Sequence, residues 1–380
     1  MKGFLKMKIA AIIAEYNPFH NGHKFHIEET KKIADAVVVI MSGSFVQRGE
    51  PAIFSKFSRA KTAVLNGAAL VLELPFLYST ASSRDFAYGA VKILNKLNVV
   101  DFLSFGSESG DIEYLKKIAF LDESEEFKAE IKALLKKGIS YPAAKEDALK
   151  KCNLPCPEGP NDTLGTEYIL ALNTLSSKIE PFCIKRTVPH DSSEATNVHI
   201  SASAVRDIIK EGKNASIYIP EQPSEKPLFY ESLSPLVAYS IMNLENENYP
   251  VRSASDEELI STIKNTPFNK DINSYLYNIK SKRYTMSRVK RTLLHILLNS
   301  GEKIPDFSPY ARVLSLNTTG AEILKKIKKA SDIKIITKPD KEYEKENISF
   351  SHDIKATDIR NLALSERTGE DYLISPFVLK

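Results

Sequence analysis

Four short runs in the first third of the chain, KIAAIIA (8–14), AVVVIM (36–41), LVLEL (70–74) and DFLSF (101–105), are almost continuously apolar and rich in Val, Ile and Leu. Runs of this length without polar alternation predict strands buried on both faces. Between them, residues 22–34, 58–66 and 84–97 carry helical spacing, and in the last of these Phe86, Ala90, Ile93 and Leu97 recur at intervals of three or four. Strand therefore alternates with helix, which predicts an α/β fold with a Rossmann-like, doubly wound parallel sheet.

Residues 112–150 are charged and helical in pattern, and the Pro-rich KCNLPCPEGPNDTLG (151–165) leads into a helix over 166–173. Together they predict a helical insertion around 112–165 that supplies a second wall to whatever site the sheet carries. PFCIKRT (181–187) reads as a further strand. SASAVRDIIKE (201–211) reads as a helix capped by a Ser, with Val205, Ile208 and Ile209 on its apolar face. The polar, Pro-rich PEQPSEKP (220–227) marks a domain boundary at about residue 225. The expected organisation is one domain over 1–225 and a second, mainly helical, domain over 226–380, with no internal repeat and no sustained heptad.

Composition narrows the class. With 380 residues, 43% hydrophobic, the chain is long enough for two or three domains, yet no apolar run approaches membrane-spanning length. MKGFLK lacks the apolar stretch of a signal peptide, and Met7-Lys8, directly before the first strand, would itself serve as an N-terminus. Three cysteines, Cys152, Cys156 and Cys183, do not suggest a disulfide framework, so a cytoplasmic location is expected. The C-x3-C spacing of the first two has no second ligand pair to complete a zinc site. Net charge is only +4, so a nucleic-acid partner has to be argued from local clustering.

The candidate chemistry lies at AEYNPFHNGHKFH (14–26), where the first strand ends. In a parallel sheet, ligands bind beyond the carboxyl ends of the strands. Asn17-Pro18 favours a turn, Gly22 permits close backbone approach, and a helix beginning near Gly22 directs unpaired N–H groups toward an anion. His20 and His23, three apart across the helix start, can face the same phosphates and stabilise charge as pyrophosphate departs. Two other readings remain open on the residues alone: a histidine-rich helix cap with no ligand, and a zinc site on His20, His23 and His26. Neither a P-loop nor a G-x-G-x-x-G follows any predicted strand, which disfavours P-loop and dinucleotide enzymes.

HNGH after an apolar strand resembles the HxGH motif of the nucleotidyltransferase superfamily, and ISASAVR (200–206) resembles its second signature, ISSTxxR. On that resemblance Ser201, Ser203 and Arg206 join His20 and His23 as catalytic residues against the β- and γ-phosphates; Ala202, where the superfamily often has Ser, removes one hydroxyl. EYNPFHNGH, MSGSFVQRGEPA (41–52), ELP (73–75), FGSE (105–108) and SYPAA (140–144) narrow the match further. With KRYTMSRVKRTLLHILL near the C-terminal part, they resemble the bacterial tRNA(Met) cytidine acetate ligase family over nearly the whole chain. The resemblance implies an ATP-dependent ligase that forms acetyl-adenylate from acetate and then acetylates N4 of the wobble cytidine of elongator tRNA(Met). It also implies an ATP site made of Ile13, Ala14, Glu15, Tyr16, Asn17, Pro18, Phe19, His20, Asn21, Gly22, His23, Lys24, Phe25 and His26, with Gly106, Asn161 and Arg186. Mg²⁺ is expected with the phosphates, although no carboxylate pair identifies its ligands and no protein metal site is assigned.

The RNA side is expected on KRYTMSRVKR (282–291), which holds five basic residues and no acid. Lys282, Arg283, Arg288 and Arg291 would meet phosphates, and Tyr284 would stack on a base. Arg288, Arg291 and His295 are expected on one solvent-facing helical stripe, with Val289, Leu293 and Ile296 on an apolar one. KKIKK (325–329) is a weaker second patch. No membrane or protein partner is expected. The competing functions are an adenylyltransferase acting on a small phosphorylated metabolite, and a non-enzymatic RNA-binding protein whose affinity ATP regulates.

Overall fold

The computed structural model describes residues 7–139, 141–157, 159–186, 200–244, 257–269, 271–281, 283–300 and 309–380. The apolar runs become β1 (Ile9–Ala14), β2 (Ala36–Ser42), β5 (Leu70–Leu74) and β6 (Phe102–Ser107), with the short hairpin β3 (Phe45–Val46) and β4 (Glu50–Pro51) between β2 and β5. Every residue of β2 and β5 is buried, as a sheet covered on both faces requires. Around them run α1 (Asn21–Thr30), α2 (Lys56–Leu65), the single turn α3 (Phe76–Ser79) and α4 (Ser83–Leu97). Phe86, Ala90, Ile93 and Leu97 of α4 all lie in the main core, as their spacing predicts.

The insertion forms α5 (Ile112–Glu123), α6 (Glu125–Lys136) and α7 (Tyr141–Lys151), which close a small core of Ile118, Phe127, Ile131, Ala144 and Leu149. Helix α8 (Pro160–Thr174) then packs along α4 and α5 and leads to β7 (Glu180–Lys185). Helix α9 (Ala202–Lys210) carries Ser201 at its N-cap, where the sequence predicts it.

Helices α10 (Ser234–Met242), α11 (Glu257–Asn265), α12 (Ile272–Ile279) and α13 (Met286–Leu298) form a helical unit. Its core reaches into the first part of the chain through Phe45, Phe76 and Leu77. After it come β8 (Tyr310–Asn317), α14 (Thr318–Ala330), β9 (Lys334–Ile336), α15 (Lys341–Glu346), α16 (Ile348–Ala363), α17 (Glu370–Leu373) and β10 (Phe377–Leu379).

These last strands change the expected domain picture, because the sheet does not end at residue 225. The sheet order is β10-β8-β5-β2-β1-β6-β7, with β9 beside β8; β8 runs antiparallel to β5 and the other pairs are parallel. The chain leaves the sheet to build the helical unit and returns to widen it. YARVLSLN is buried along nearly its whole length, so an edge at β5 would leave an apolar strand face and a row of backbone groups unpaired. The return is locked by a buried ionic group: Lys56 of α2 contacts Glu73 of β5 at 2.8 Å and Asp371 of α17 at 2.9 Å.

Candidate active site

At the carboxyl end of β1 the backbone turns through Glu15 and Tyr16, and Tyr16 takes a positive φ of 48°. A non-glycine residue in that region is held there by its surroundings. The Tyr16 ring is buried and meets the rings of Phe19 and His23 edge-on, both at 4.8 Å. Asn17 ties the turn to two distant segments. Its side-chain oxygen accepts from the Ile53 N–H at 2.9 Å, and its backbone carbonyl accepts from Arg206 Nη1 at 2.7 Å.

His20 is the N-cap of α1 and folds its ring back over the helix start. Its Nδ1 accepts from the Gly22 N–H at 3.0 Å, while its own N–H donates to His23 Nδ1 at 3.2 Å. A Cβ on residue 22 would lie 2.8 Å from the His20 ring, so Gly22 serves this cap. The Asn21 N–H donates to the Tyr218 carbonyl at 2.9 Å. The expectation that the first N–H groups of this helix point at an anion is therefore corrected: Asn21 and Gly22 give theirs to protein acceptors. What the cap presents instead is imidazole. With both Nδ1 atoms accepting, the ring protons of neutral His20 and His23 reside on Nε2.

Electrostatics keep His23 uncharged. Burial, then the neighbouring His20, Arg186 and His26, hold its pKa well below the ordinary value, and burial with Arg186 lowers His26 to about 4. His26 is turned away from the helix start, its Nε2 lying 3.1 Å from Ser104 Oγ. The three histidines thus do not converge on one point, and among the described residues no three His, Cys, Asp or Glu side chains are placed to hold a metal. Within 13–26, Ile13 belongs to the core and Lys24 is exposed, so these two frame the segment.

The other predicted site residues gather on neighbouring strand ends. Gly106 lies in β6 opposite Ile184 of β7, and a Cβ there would come 3.4 Å from Arg186 Cγ. The Arg186 N–H donates to the Ser107 carbonyl at 2.8 Å, while its side-chain Nε is buried without a hydrogen-bond partner among the described residues. An orphaned guanidinium N–H beside two imidazoles fits an anionic ligand. Asn161 is reached indirectly: its Nδ2 donates to Glu108 Oε1 at 2.5 Å, and Glu108 Oε2 accepts from the Asp162 N–H at 2.8 Å. Asp162 returns the contact by accepting from the N–H groups of Glu108 and Ser109 at 3.0 and 3.1 Å. FGSE and PND thereby brace one another.

Ser201 Oγ caps α9 by accepting from the Ala204 N–H at 3.3 Å and lies 2.9 Å from Ser203 Oγ. Arg206, largely buried, connects this signature to the first through Asn17. Residues 187–199 lie outside the described residues.

Sequence reasoning gave no role to the QRGE turn of MSGSFVQRGEPA. The Gln47 N–H donates to Glu15 Oε1 at 2.9 Å, and Arg48 and Arg206 both lie near enough to oppose the upward push of burial on the Glu15 carboxyl. The same turn receives α13. Arg291 Nη1 donates to the Gln47 carbonyl at 3.1 Å, and Lys290 pairs with Glu50. Gly49 has φ +77°, and a Cβ on it would meet the Arg291 backbone nitrogen at 2.5 Å.

This packing corrects the picture of α13 as carrying a free basic stripe. His295 is buried, with Nδ1 2.6 Å from Ser300 Oγ and Nε2 3.2 Å from the Thr80 carbonyl. Tyr284 is only 5% exposed, with Arg283 and Arg288 over its ring at 5.4 and 5.2 Å, so its face is not offered to a base. Arg283 also pairs with Glu258. Val289, Leu293 and Ile296 are in the core as expected, and Lys282 lies outside the described residues.

The family model described as HIGH Nucleotidyl Transferase matches residues 7–372. A tRNA(Met) cytidine acetate ligase of Thermosipho africanus is 38% identical over 88% of this chain and 85% of its own length. One of Clostridium perfringens is 38% identical over 98% of this chain and 100% of its own. Among solved structures, Thermotoga maritima TmcAL bound with alpha-thio ATP is similar with a TM-score of 0.84 at 29% identity, covering 98% of this chain and 100% of that one. Its apo form gives 0.89 at 28% identity with the same coverage. The paired signatures joined at Asn17, the single sheet that both halves of the chain build, and these matches agree: the chain belongs to the tRNA(Met) cytidine acetate ligase family of HIGH nucleotidyl transferases.

Proposed function

We propose that this protein uses ATP to activate acetate and transfers the acetyl group to the exocyclic amine of the wobble cytidine of elongator tRNA(Met), in the cytoplasm. The observation that carries the reading is the 2.7 Å contact from Arg206 to the Asn17 carbonyl, which sets the second signature against the hairpin bearing His20 and His23. ATP is the ligand that the family and this junction support together.

In the first step an acetate oxygen attacks the α-phosphorus, the bond to the bridging oxygen breaks and pyrophosphate leaves. The Nε2–H groups of His20 and His23 and the half-buried guanidinium of Arg186 stabilise negative charge on the phosphates. In the second step the cytidine amine attacks the acetyl carbon, AMP departs with its electron pair, and the amine's surplus proton passes to solvent. No protein nucleophile is needed; the chain supplies position and charge.

Mg²⁺ enters this proposal only as a companion of the ATP phosphates. Glu15, the carboxylate nearest the strand end, accepts from Gln47, and the described residues build no carboxylate cage. Among the described residues the site's groups do not fit a resident metal, and no step is assigned to one.

The reading is tested without RNA, by exchange of labelled pyrophosphate into ATP. Exchange that depends on acetate is expected. Exchange that ignores acetate and requires a small phosphorylated acceptor would instead indicate a metabolite adenylyltransferase.

A further inference from the structure

Helix α2 opens with two buried cations, Lys56 and Arg59, 1% and 2% exposed. The N-terminal end of a helix disfavours positive charge, and burying a guanidinium adds a desolvation cost, so the placement of Arg59 calls for a local reason. Lys56 has one in its carboxylate partners, Glu73 and Asp371. Arg59 differs: among the described residues its hydrogen bonds go to backbone carbonyls. Nη1 donates to Glu15 O at 2.6 Å and to Ser42 O at 3.0 Å, Nε donates to Phe54 O at 3.0 Å, and Nη2 donates to Gly43 O.

Those carbonyls belong to the residues just beyond β1, to the end of β2 and the residue after it, and to the loop before α2. They are the negative ends of the backbone at the edge where a triphosphate is proposed to sit. The contact with Glu15 also precedes Tyr16, the residue with positive φ whose ring touches His23.

We propose that Arg59 is a positioning residue for the ATP site. It fixes the Glu15–Tyr16 turn, and with it the His23 ring, and it masks strand-end carbonyls that would otherwise face the phosphates. This inference rests on reading the hairpin as the ATP site.

The test compares wild type with Arg59→Met and Arg59→Lys in acetate-dependent pyrophosphate exchange, using the full chain well below its melting midpoint. A positioning role raises KM for ATP by about tenfold in Arg59→Met while kcat at saturating ATP changes by less than about threefold, with Arg59→Lys intermediate because one ammonium replaces part of the fork. A merely structural role lowers the active fraction, so kcat falls at unchanged KM; that result overturns the proposal. If Arg59→Met does not fold, the KM shift in Arg59→Lys decides. Should wild type show no acetate-dependent exchange, the functional reading fails, and equilibrium titration of wild type and Arg59→Lys with α,β-methylene-ATP still decides the role of Arg59: weaker binding by the variant supports it, and equal affinity overturns it.

Discussion

The rings of His20 and His23 lie 3.8 Å apart between centroids with their planes 31° from parallel, and each Nδ1 accepts a backbone N–H of the same helix start. The reciprocal cap determines ring orientation and tautomer before any ligand arrives. His23→Ala removes one Nε2–H donor and the acceptor of the His20 N–H. We expect acetate-dependent exchange to fall by about a hundredfold, the usual effect of losing one charge-stabilising donor. A melting midpoint within a few degrees of wild type would show that folding is preserved. Near-normal exchange would mean that His23 does not meet the phosphates.

The depressed histidines also set a pH dependence of stability. His26 titrates at about 4 in the folded protein, against an ordinary value of about 6.5 in the unfolded chain. The unfolded chain therefore binds more protons in that interval, and stability contributed by the neutral ring is complete above about pH 6.5 and declines as pH falls toward 4. His23 contributes in the same direction. Thermal midpoints measured across this window should fall with acid, and His26→Gln should flatten the slope. An unchanged slope would show that His26 is not the group responsible.

Asp162 is completely buried and accepts from Ser107 Oγ at 2.5 Å as well as from the Glu108 and Ser109 N–H groups. Asp162→Ala strands these donors, and we expect a loss of about 2–4 kcal/mol in denaturant unfolding. Because the loop it holds carries Glu108, the partner of Asn161, KM for ATP should rise in the fraction that remains folded. A loss below about 0.5 kcal/mol would show that water replaces the carboxylate.

Arg288 and Arg291 should separate in their effects. Arg291 is held by the Gln47 carbonyl, in the turn that also donates to Glu15, whereas Arg288 lies over Tyr284. Arg288→Ala is expected to weaken tRNA binding and reduce its salt slope by about one while leaving acetate activation intact. Arg291→Ala should instead slow pyrophosphate exchange, because its guanidinium faces the Gln47 turn. Equal and purely RNA-directed effects would remove the proposed link between α13 and the QRGE turn.

Much of the fold was legible because its strands are unbroken apolar runs and its helices keep a clean three-to-four spacing. The return of the chain to the sheet at β8 was not. YARVLSLN carries Arg312, Ser315 and Asn317 among its apolar residues and so lacks the unbroken run of β1 and β2; a pattern of burial does not say which sheet a strand joins, and the preceding helices suggested a separate unit. HNGH and ISASAVR, far apart in sequence, are joined in the fold through Arg206 and the Asn17 carbonyl, yet sequence could not reveal that the Asn21 and Gly22 N–H groups are given to Tyr218 and His20. The basic run 282–291 signalled charge correctly. Its pairing with Glu50, Glu258 and backbone carbonyls depends on tertiary contacts far away in sequence.

The central claim is most directly tested by incubating the full chain with ATP, labelled acetate and elongator tRNA(Met), then digesting the RNA to nucleosides. The account predicts one pyrophosphate released per label incorporated, with the label on the wobble cytidine. Pyrophosphate release without label in RNA, or label that survives removal of ATP, would contradict it.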